Sequence, residues 1–252
     1  MLNEERRNLI LRLLSENKQI RVKQVAHDFH ISEVTVRKDL EVLERRGVLR
    51  RVHGGAIPNH TSVPDLALTE KERIHPKEKK SIAAKAAEMI HEGNVIILDS
   101  GTTTLQIARK IKFMKGITVI TNAVNIASEL AGSDMEVILT GGTLREKSFS
   151  LVGPIAEEAI RRITADKLFL GVDGIHFDFG LTTPNFLEAR INSLMIKSAA
   201  EVILVADSSK FGRRSLGVIA DVNAIDVLIS DRKINPSDLR RMKELGVVVY
   251  TV

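Results

Sequence analysis

The sequence has no cysteine and no tryptophan, a single tyrosine, and aromatic residues at only 4% of its 252 positions. Without cysteine there is no disulfide framework, no thiolate metal site and no cysteine nucleophile, and the absence fits a reducing, cytoplasmic setting. So few rings give little material for stacking bases or sugars. No apolar run approaches the ~18 residues that span a bilayer, so no membrane partner is expected. The charged opening Asn3-Glu4-Glu5-Arg6-Arg7 is unlike a secretory signal. The histidines are scattered, and His27 and His30 lie three apart with no third ligand nearby, so neither a metal nor a cofactor is expected. There is no Gly-x-Ser-x-Gly elbow and no Walker loop.

What remains is ordinary globular material, 44% hydrophobic and 27% charged, long enough for more than one domain. The net charge of +5 is unevenly spread. Residues 1–58 hold 12 Lys/Arg against 8 Asp/Glu, and the rest of the chain is nearly balanced. Such asymmetry suits an N-terminal module that meets a polyanion, and equally a solvated basic surface.

Three short helical patterns open the chain. The first covers about Asn3 to Ser15, with Leu9, Ile10, Leu13 and Leu14 on one face. The second carries Val22, Val25, Ala26 and Phe29 at i, i+3, i+4 and i+7. The third follows Ser32, a candidate N-cap, places Val36, Leu40 and Leu43 inward, and ends at Gly47. Val48 to His53 reads as a short strand turned by Gly54-Gly55. Pro58, Pro64 and Pro76 then mark a linker. The expected organisation is a module at 1–57, a linker at 58–76 and a larger domain at 77–252.

Three helices and a hairpin in ~55 residues make a winged helix-turn-helix candidate, and a three-helix protein-interaction module is the bland alternative. The third helix leaves Glu33, Thr35, Arg37, Lys38 and Glu41 mostly off its apolar face. A helix fits the major groove of B-DNA, where Arg grips guanine and Thr meets a thymine methyl or a phosphate. Arg50, Arg51 and His53 on the wing suit phosphates or the minor groove. The ordered run Ser32-Glu33-Val34-Thr35-Val36-Arg37-Lys38-Asp39-Leu40, then Leu43-Glu44, Gly47 and Arg51-Val52-His53-Gly54-Gly55-Ala56, resembles the signature of the DeoR family of bacterial transcriptional repressors. The resemblance implies a recognition helix at about 33–46 and a DNA-contact set of Ser32, Glu33, Thr35, Arg37, Lys38, Arg50, Arg51 and His53.

From residue 80 the chain alternates. A helix with Ile82, Ala83, Ala86, Met89 and Ile90 precedes apolar runs at 95–98, 117–120, 137–139, 167–170, 202–205, 227–229 and 247–250. A helical stretch with Leu187, Ile191, Leu194 and Met195 lies among them. Continuous apolar strands separated by helices predict a doubly wound, mainly parallel α/β sheet covered on both faces. Ligands in that architecture sit beyond the strands' carboxyl ends. There the sequence offers Asp99-Ser100-Gly101-Thr102-Thr103, Thr121-Asn122, Gly141-Gly142, Asp173-Gly174 and Lys210. The first of these is a competent phosphate cradle, with hydroxyls and free N–H groups at a helix start, although the same residues also serve simply to cap a helix. Lys210 suits a phosphate and Asp173 suits sugar hydroxyls, against readings as a surface charge and a turn residue.

The spacing of these elements again resembles the DeoR family, now its C-terminal sensor domain, whose fold looks like that of sugar-phosphate isomerases. The resemblance implies a repressor of a carbohydrate operon that binds a double-stranded DNA operator under control of a phosphorylated sugar. A homo-dimer or homo-tetramer is implied, because two-fold half-sites favour symmetric proteins. The alternative is a sugar-phosphate isomerase-like enzyme with an appended DNA-binding domain, in which Asp99, Asp173, Lys210 and His176 would move protons. Fold does not decide between them, and no catalytic residue is assigned.

Overall fold

A computed structural model of the chain describes residues 3–17, 19–45, 49–58 and 65–252. The N-terminal unit comprises α1 (Asn3–Asn17), β1 (Ile20–Arg21), α2 (Val22–Asp28), α3 (Glu33–Arg45), β2 (Leu49–Val52) and β3 (Gly55–Pro58). The three strands pair antiparallel in the order β1-β3-β2, which is the wing behind a helix-turn-helix. Ile10, Leu14, Val25, Val36, Leu40, Leu43, Leu49 and Ala56 close one apolar core. Leu9 is the exception to the expected stripe: it is exposed, because Ile10 and Leu14 take the inward positions. The turn of the wing depends on glycine. Gly54 adopts φ +74°, and a Cβ on Gly55 would sit 2.0 Å from the Ile20 carbonyl oxygen. Gly47 and Val48, expected at the helix end and strand start, lie outside the described residues.

The larger unit begins with α4 (Leu68–Glu72) and α5 (Pro76–Ala87). It continues through β4 (Val95–Leu98), α6 (Thr102–Ile111), β5 (Thr118–Thr121), α7 (Val124–Leu130) and β6 (Glu136–Leu139). The hairpin β7 (Thr143–Arg145) and β8 (Ser150–Val152) leads into α8 (Pro154–Arg161) and β9 (Ala165–Leu170). Then come β10 (Gly174–His176), β11 (Gly180–Thr183), α9 (Phe186–Ser198) and β12 (Ala199–Val205). The chain closes with β13 (Gly217–Ala220), β14 (Val227–Ser230), α10 (Pro236–Glu244) and β15 (Val248–Thr251).

All seven expected apolar runs pair into a single parallel sheet, ordered β15-β14-β12-β9-β4-β5-β6. Alternate residues of each strand face opposite layers. Ile97, Leu168, Leu170, Leu204 and Leu228 pack with Ile160, Ile191, Met195 and Met242. Ile96, Leu98, Phe169, Ile203 and Ile229 pack with Ile82, Ile107 and Ile126 on the other side. Burial on both faces is why these strands read as unbroken hydrophobic runs. A small antiparallel sheet, β10-β11-β13, and the β7–β8 hairpin are additions that the sequence reading did not contain.

The strand order fixes where a ligand can go. From β4 the chain steps outward through β5 to β6; from β9 it steps the other way through β12, β14 and β15. The direction of winding reverses between β4 and β9, and a crevice opens beyond the carboxyl ends of those two strands.

Candidate functional site

The crevice at the switch point is occupied by titratable groups. β4 delivers Asp99, and Gly101 then stands as the N-cap of α6 without a side chain to cap it, so the first-turn N–H groups of Thr102 and Thr103 face the crevice. β9 leads into Gly171-Val172-Asp173 on the other side. The turn after β12 supplies Lys210, and two carboxylates hold that turn. Asp207 accepts the Ser209 N–H at 3.1 Å, and Asp231 accepts the Ser208 N–H at 2.6 Å.

Of the twelve residues expected at an effector site, seven line this cavity: Asp99, Ser100, Gly101, Thr102, Thr103, Asp173 and Lys210. The other five do not, for identifiable reasons. Thr121 ends β5 and Asn122 follows it, and both are fully buried. Thr121 Oγ1 donates to the Leu98 carbonyl at 2.7 Å, and Asn122 Nδ2 donates to the Leu151 carbonyl at 3.2 Å. Gly141 and Gly142 turn the chain after β6 at positive φ, packed against Ile155 and Val152. Gly174 opens β10, where a Cβ would meet the Arg213 carbonyl oxygen and Thr182 Oγ1 at 2.6 Å. His176, weighed as an acid or base, lies outside the cavity with its ring 4.9 Å from that of Phe179.

The cavity also holds residues that sequence reasoning missed: Lys71, Lys79, Lys147, Ser148, Thr183, Glu188, Asn192 and Asp207 among them. Two were discoverable. Lys79 shares the inward stripe of α5 with Ile82, Ala83 and Ala86, and Glu188 shares that of α9 with Ile191, Asn192 and Met195. A charge at a core-facing helical position demands a partner or a function. Of the stripe expected on α9, Ile191 and Met195 are buried and Leu194 is half-buried, whereas Leu187 is exposed and Glu188 faces inward in its place. Asn185 fixes this phase by accepting the Leu187 and Glu188 N–H groups at 2.9 and 3.2 Å.

The electrostatics divide the two central carboxyls. Burial alone would push Asp173 up. Lys71 and Lys210, with hydrogen bonds from Lys71 and Thr183, outweigh burial and hold its carboxyl below the ordinary range. Lys71 Nζ contacts its two oxygens at 2.7 and 2.9 Å, Thr183 Oγ1 donates at 3.2 Å, and Lys210 Nζ stands at 3.7 Å. Asp99 goes the other way. Burial first, then the neighbouring charges of Glu188 and Asp173, push its pKa up to about 8 against the N–H groups of Gly171 and Ser100. The two carboxyls are thus driven apart, Asp173 toward its charged form and Asp99 toward its neutral one. Lys79 is pulled down to about 8, mainly by burial and then by Lys210.

On the N-terminal unit, α3 presents a polar face. Ser32 caps the helix: its Oγ accepts the Thr35 N–H at 3.1 Å and lies 2.8 Å from Thr35 Oγ1. Arg37 and Lys38 are exposed, with the Arg37 guanidinium donating to Glu33 at 2.7 Å. Val34, which the sequence reading passed over, is 59% exposed beside them and offers a methyl surface suited to thymine. On the wing Arg50 and His53 are exposed. Arg51 is committed: its backbone N–H and Nε donate to Glu44 at 2.7 and 2.6 Å, which lowers the Glu44 carboxyl and ties the wing to α3.

Two family models match the chain: the DeoR-like helix-turn-helix domain over residues 6–62, and the DeoR C-terminal sensor domain over residues 74–232. The chain belongs to the DeoR family. It is 41% identical to the HTH-type transcriptional regulator GlpR of Haloferax volcanii, over 99% of this chain and 98% of that one. It is 38% identical to a putative aga operon transcriptional repressor of Escherichia coli O157:H7, over 98% and 93% respectively. The glycerol-3-phosphate regulon repressor of E. coli K12 is 29% identical, over 92% of each chain. Among solved structures, the ribose 5-phosphate isomerase of Plasmodium falciparum resembles it with a TM-score of 0.39 and 17% identity. That match covers 54% of this chain and 52% of the isomerase, and no chemistry follows from so partial a likeness. DeoR-family relatives are named as regulators, and this chain is a DNA-binding transcriptional regulator rather than an enzyme. Among the described residues no helix is long and apolar enough to cross a membrane.

Proposed function

We propose that the chain is a repressor of a carbohydrate operon whose sensor pocket binds a phosphorylated sugar, and that this ligand controls its hold on operator DNA. The observation that carries the reading is the polarity of one cavity. An uncapped helix start with Ser100, Thr102, Thr103 and Lys210 suits a phosphate, and the Asp173–Thr183 side suits hydroxyls. The printed names of the relatives, an aga operon repressor and a glycerol-3-phosphate regulon repressor, support the same ligand class. A homo-dimer or homo-tetramer follows from the symmetry of paired half-sites. The ligand must bind the DNA-incompetent arrangement better than the competent one, since only that difference can release the operator.

Two substitutions separate the two halves of this reading. Arg37→Ala removes the exposed guanidinium of α3, and a bidentate base contact is worth ~1–3 kcal/mol. Operator affinity measured by anisotropy should fall about 5–150-fold, with glycerol 3-phosphate binding unchanged. Unaltered operator affinity would remove Arg37 from the contact set. Lys210→Ala takes a charged hydrogen bond from the proposed phosphate, ~1.5–3 kcal/mol, so calorimetry should show sugar-phosphate affinity reduced about 10–150-fold while operator binding persists. Equal heats from wild type and variant would argue against the cradle.

A further inference from the structure

The cavity is tight for the ligand proposed above. Its open volume is about 60 Å³, against ~300–1,000 Å³ for pockets that bury drug-sized ligands. The chain's own segment 65–75 closes one side of it. Leu66 and Leu68 form one wall, and Lys71 from α4 crosses the cavity to both oxygens of Asp173.

This segment is fastened along its length. Asp65 pairs with Arg145 and, at 3.6 Å, with Lys147. The Leu68 N–H donates to the Lys147 carbonyl at 2.7 Å, and Glu72 faces Arg109 at 3.7 Å. The buried ammonium of Lys79 donates to the carbonyls of Lys71 and Ile74 at 2.5 and 2.6 Å. Three of the fasteners, Lys79, Lys147 and Asp173, line the cavity themselves. A hydroxyl that takes Asp173, or an anion that recruits Lys79, takes it from the segment.

We propose that residues 65–75 are a strap that plugs the effector pocket, with Lys71 as a built-in competitor for Asp173, and that ligand capture releases the strap. The proposal rests on the pocket being the ligand site. It also gives the signal a physical carrier. The wing ends at Pro58, seven residues before Asp65, so a docked strap tethers the DNA-binding unit within ~25 Å of its anchor. Freed back to Pro76, the tether spans 18 residues and ~60 Å. A longer tether lowers the effective concentration of one reading head beside its partner on paired half-sites, and operator affinity falls without any change in the recognition helix.

The test uses full-length protein and two strap variants, Lys71→Met and Asp65→Ala, the latter outside the cavity lining. Without ligand, hydrogen–deuterium exchange at Leu68–Ile74 should be at least tenfold faster in both variants, and operator affinity should be several-fold lower. With glycerol 3-phosphate as the probe, calorimetry should give about 5–10-fold tighter binding to both, because the competitor is weakened. Wild-type exchange rates in both variants overturn the strap, as does glycerol 3-phosphate that binds wild type and binds the variants no more tightly. A sensor that takes up no phosphate ester at all, while strap exchange still accelerates in the variants, sinks the ligand assignment and leaves the strap standing.

Discussion

Replacing Asp39 by alanine is expected to unfold the DNA-binding unit while the sensor domain stays folded. Asp39 sits on the inner side of α3 and is only 2% exposed. Its carboxylate accepts from Arg6 Nε at 2.6 Å and Arg7 Nε at 2.9 Å, joining α1 to the recognition helix. Removing one partner of a buried ion pair costs ~3–5 kcal/mol, and here it also removes the link between α1 and α3. A unit of under 60 residues has little more than that in reserve. Asp39→Ala should therefore lose operator binding altogether and show a partial loss of helical circular dichroism. Sensor melting and glycerol 3-phosphate binding should match wild type. The isosteric Asp39→Asn should fall between the two. A variant that melts like wild type and still binds operator would show that the arginines find equal partners elsewhere.

The second large effect concerns pH. Burial pushes the Asp99 pKa in the folded protein up to about 8, against an ordinary 3.8. The unfolded chain releases that proton from about pH 4 upward. Stability conferred by the raised group is thus complete below pH ~4 and is lost as pH rises toward 8, at roughly 1.4 kcal/mol per unit. Asparagine keeps the shape, can still accept from the Gly171 N–H, and does not titrate. Relative to wild type, Asp99→Asn should gain on the order of 2–3 kcal/mol of sensor stability between pH 5 and pH 7.5, read from urea unfolding. Parallel profiles for the two proteins would mean that Asp99 is ionised in the native pocket, and the division of labour between Asp99 and Asp173 would be wrong.

The sheet was legible because its strands are buried on both faces. Runs such as Val95-Ile96-Ile97-Leu98 have no other use, and each of the seven became a strand of one parallel sheet. The wing was legible because Gly54-Gly55 follows a basic strand in a long ordered motif. Strands β10 and β11 were not, since Gly174-Ile175-His176 and Gly180-Leu181-Thr182-Thr183 are short and half polar, and their pairing depends on tertiary context.

The site was half legible. Strand ends name the residues beyond a sheet but not the strand order, and it is the ends of β4, β9 and β12 that line the crevice. Thr121, Asn122, Gly141 and Gly142, at the ends of β5 and β6, do not line it for that reason. Lys71 was hidden differently. It belongs to a segment that reads as a proline-marked linker, and its partner Asp173 lies 102 residues away. By contrast, Lys79 and Glu188 were written into the helical stripes, as charges where the period calls for apolar residues.

The central claim is that a phosphorylated sugar in the sensor pocket governs the grip of α3 on DNA. It is tested most directly by fluorescence anisotropy of wild-type protein on a labelled duplex from upstream of its own gene, titrated with sugar phosphates and their unphosphorylated counterparts. At least one phosphorylated compound should shift the binding curve several-fold while its dephosphorylated twin leaves it in place. Protein that binds the duplex identically with every compound, or that responds as strongly to the free sugar as to its phosphate, would contradict the account.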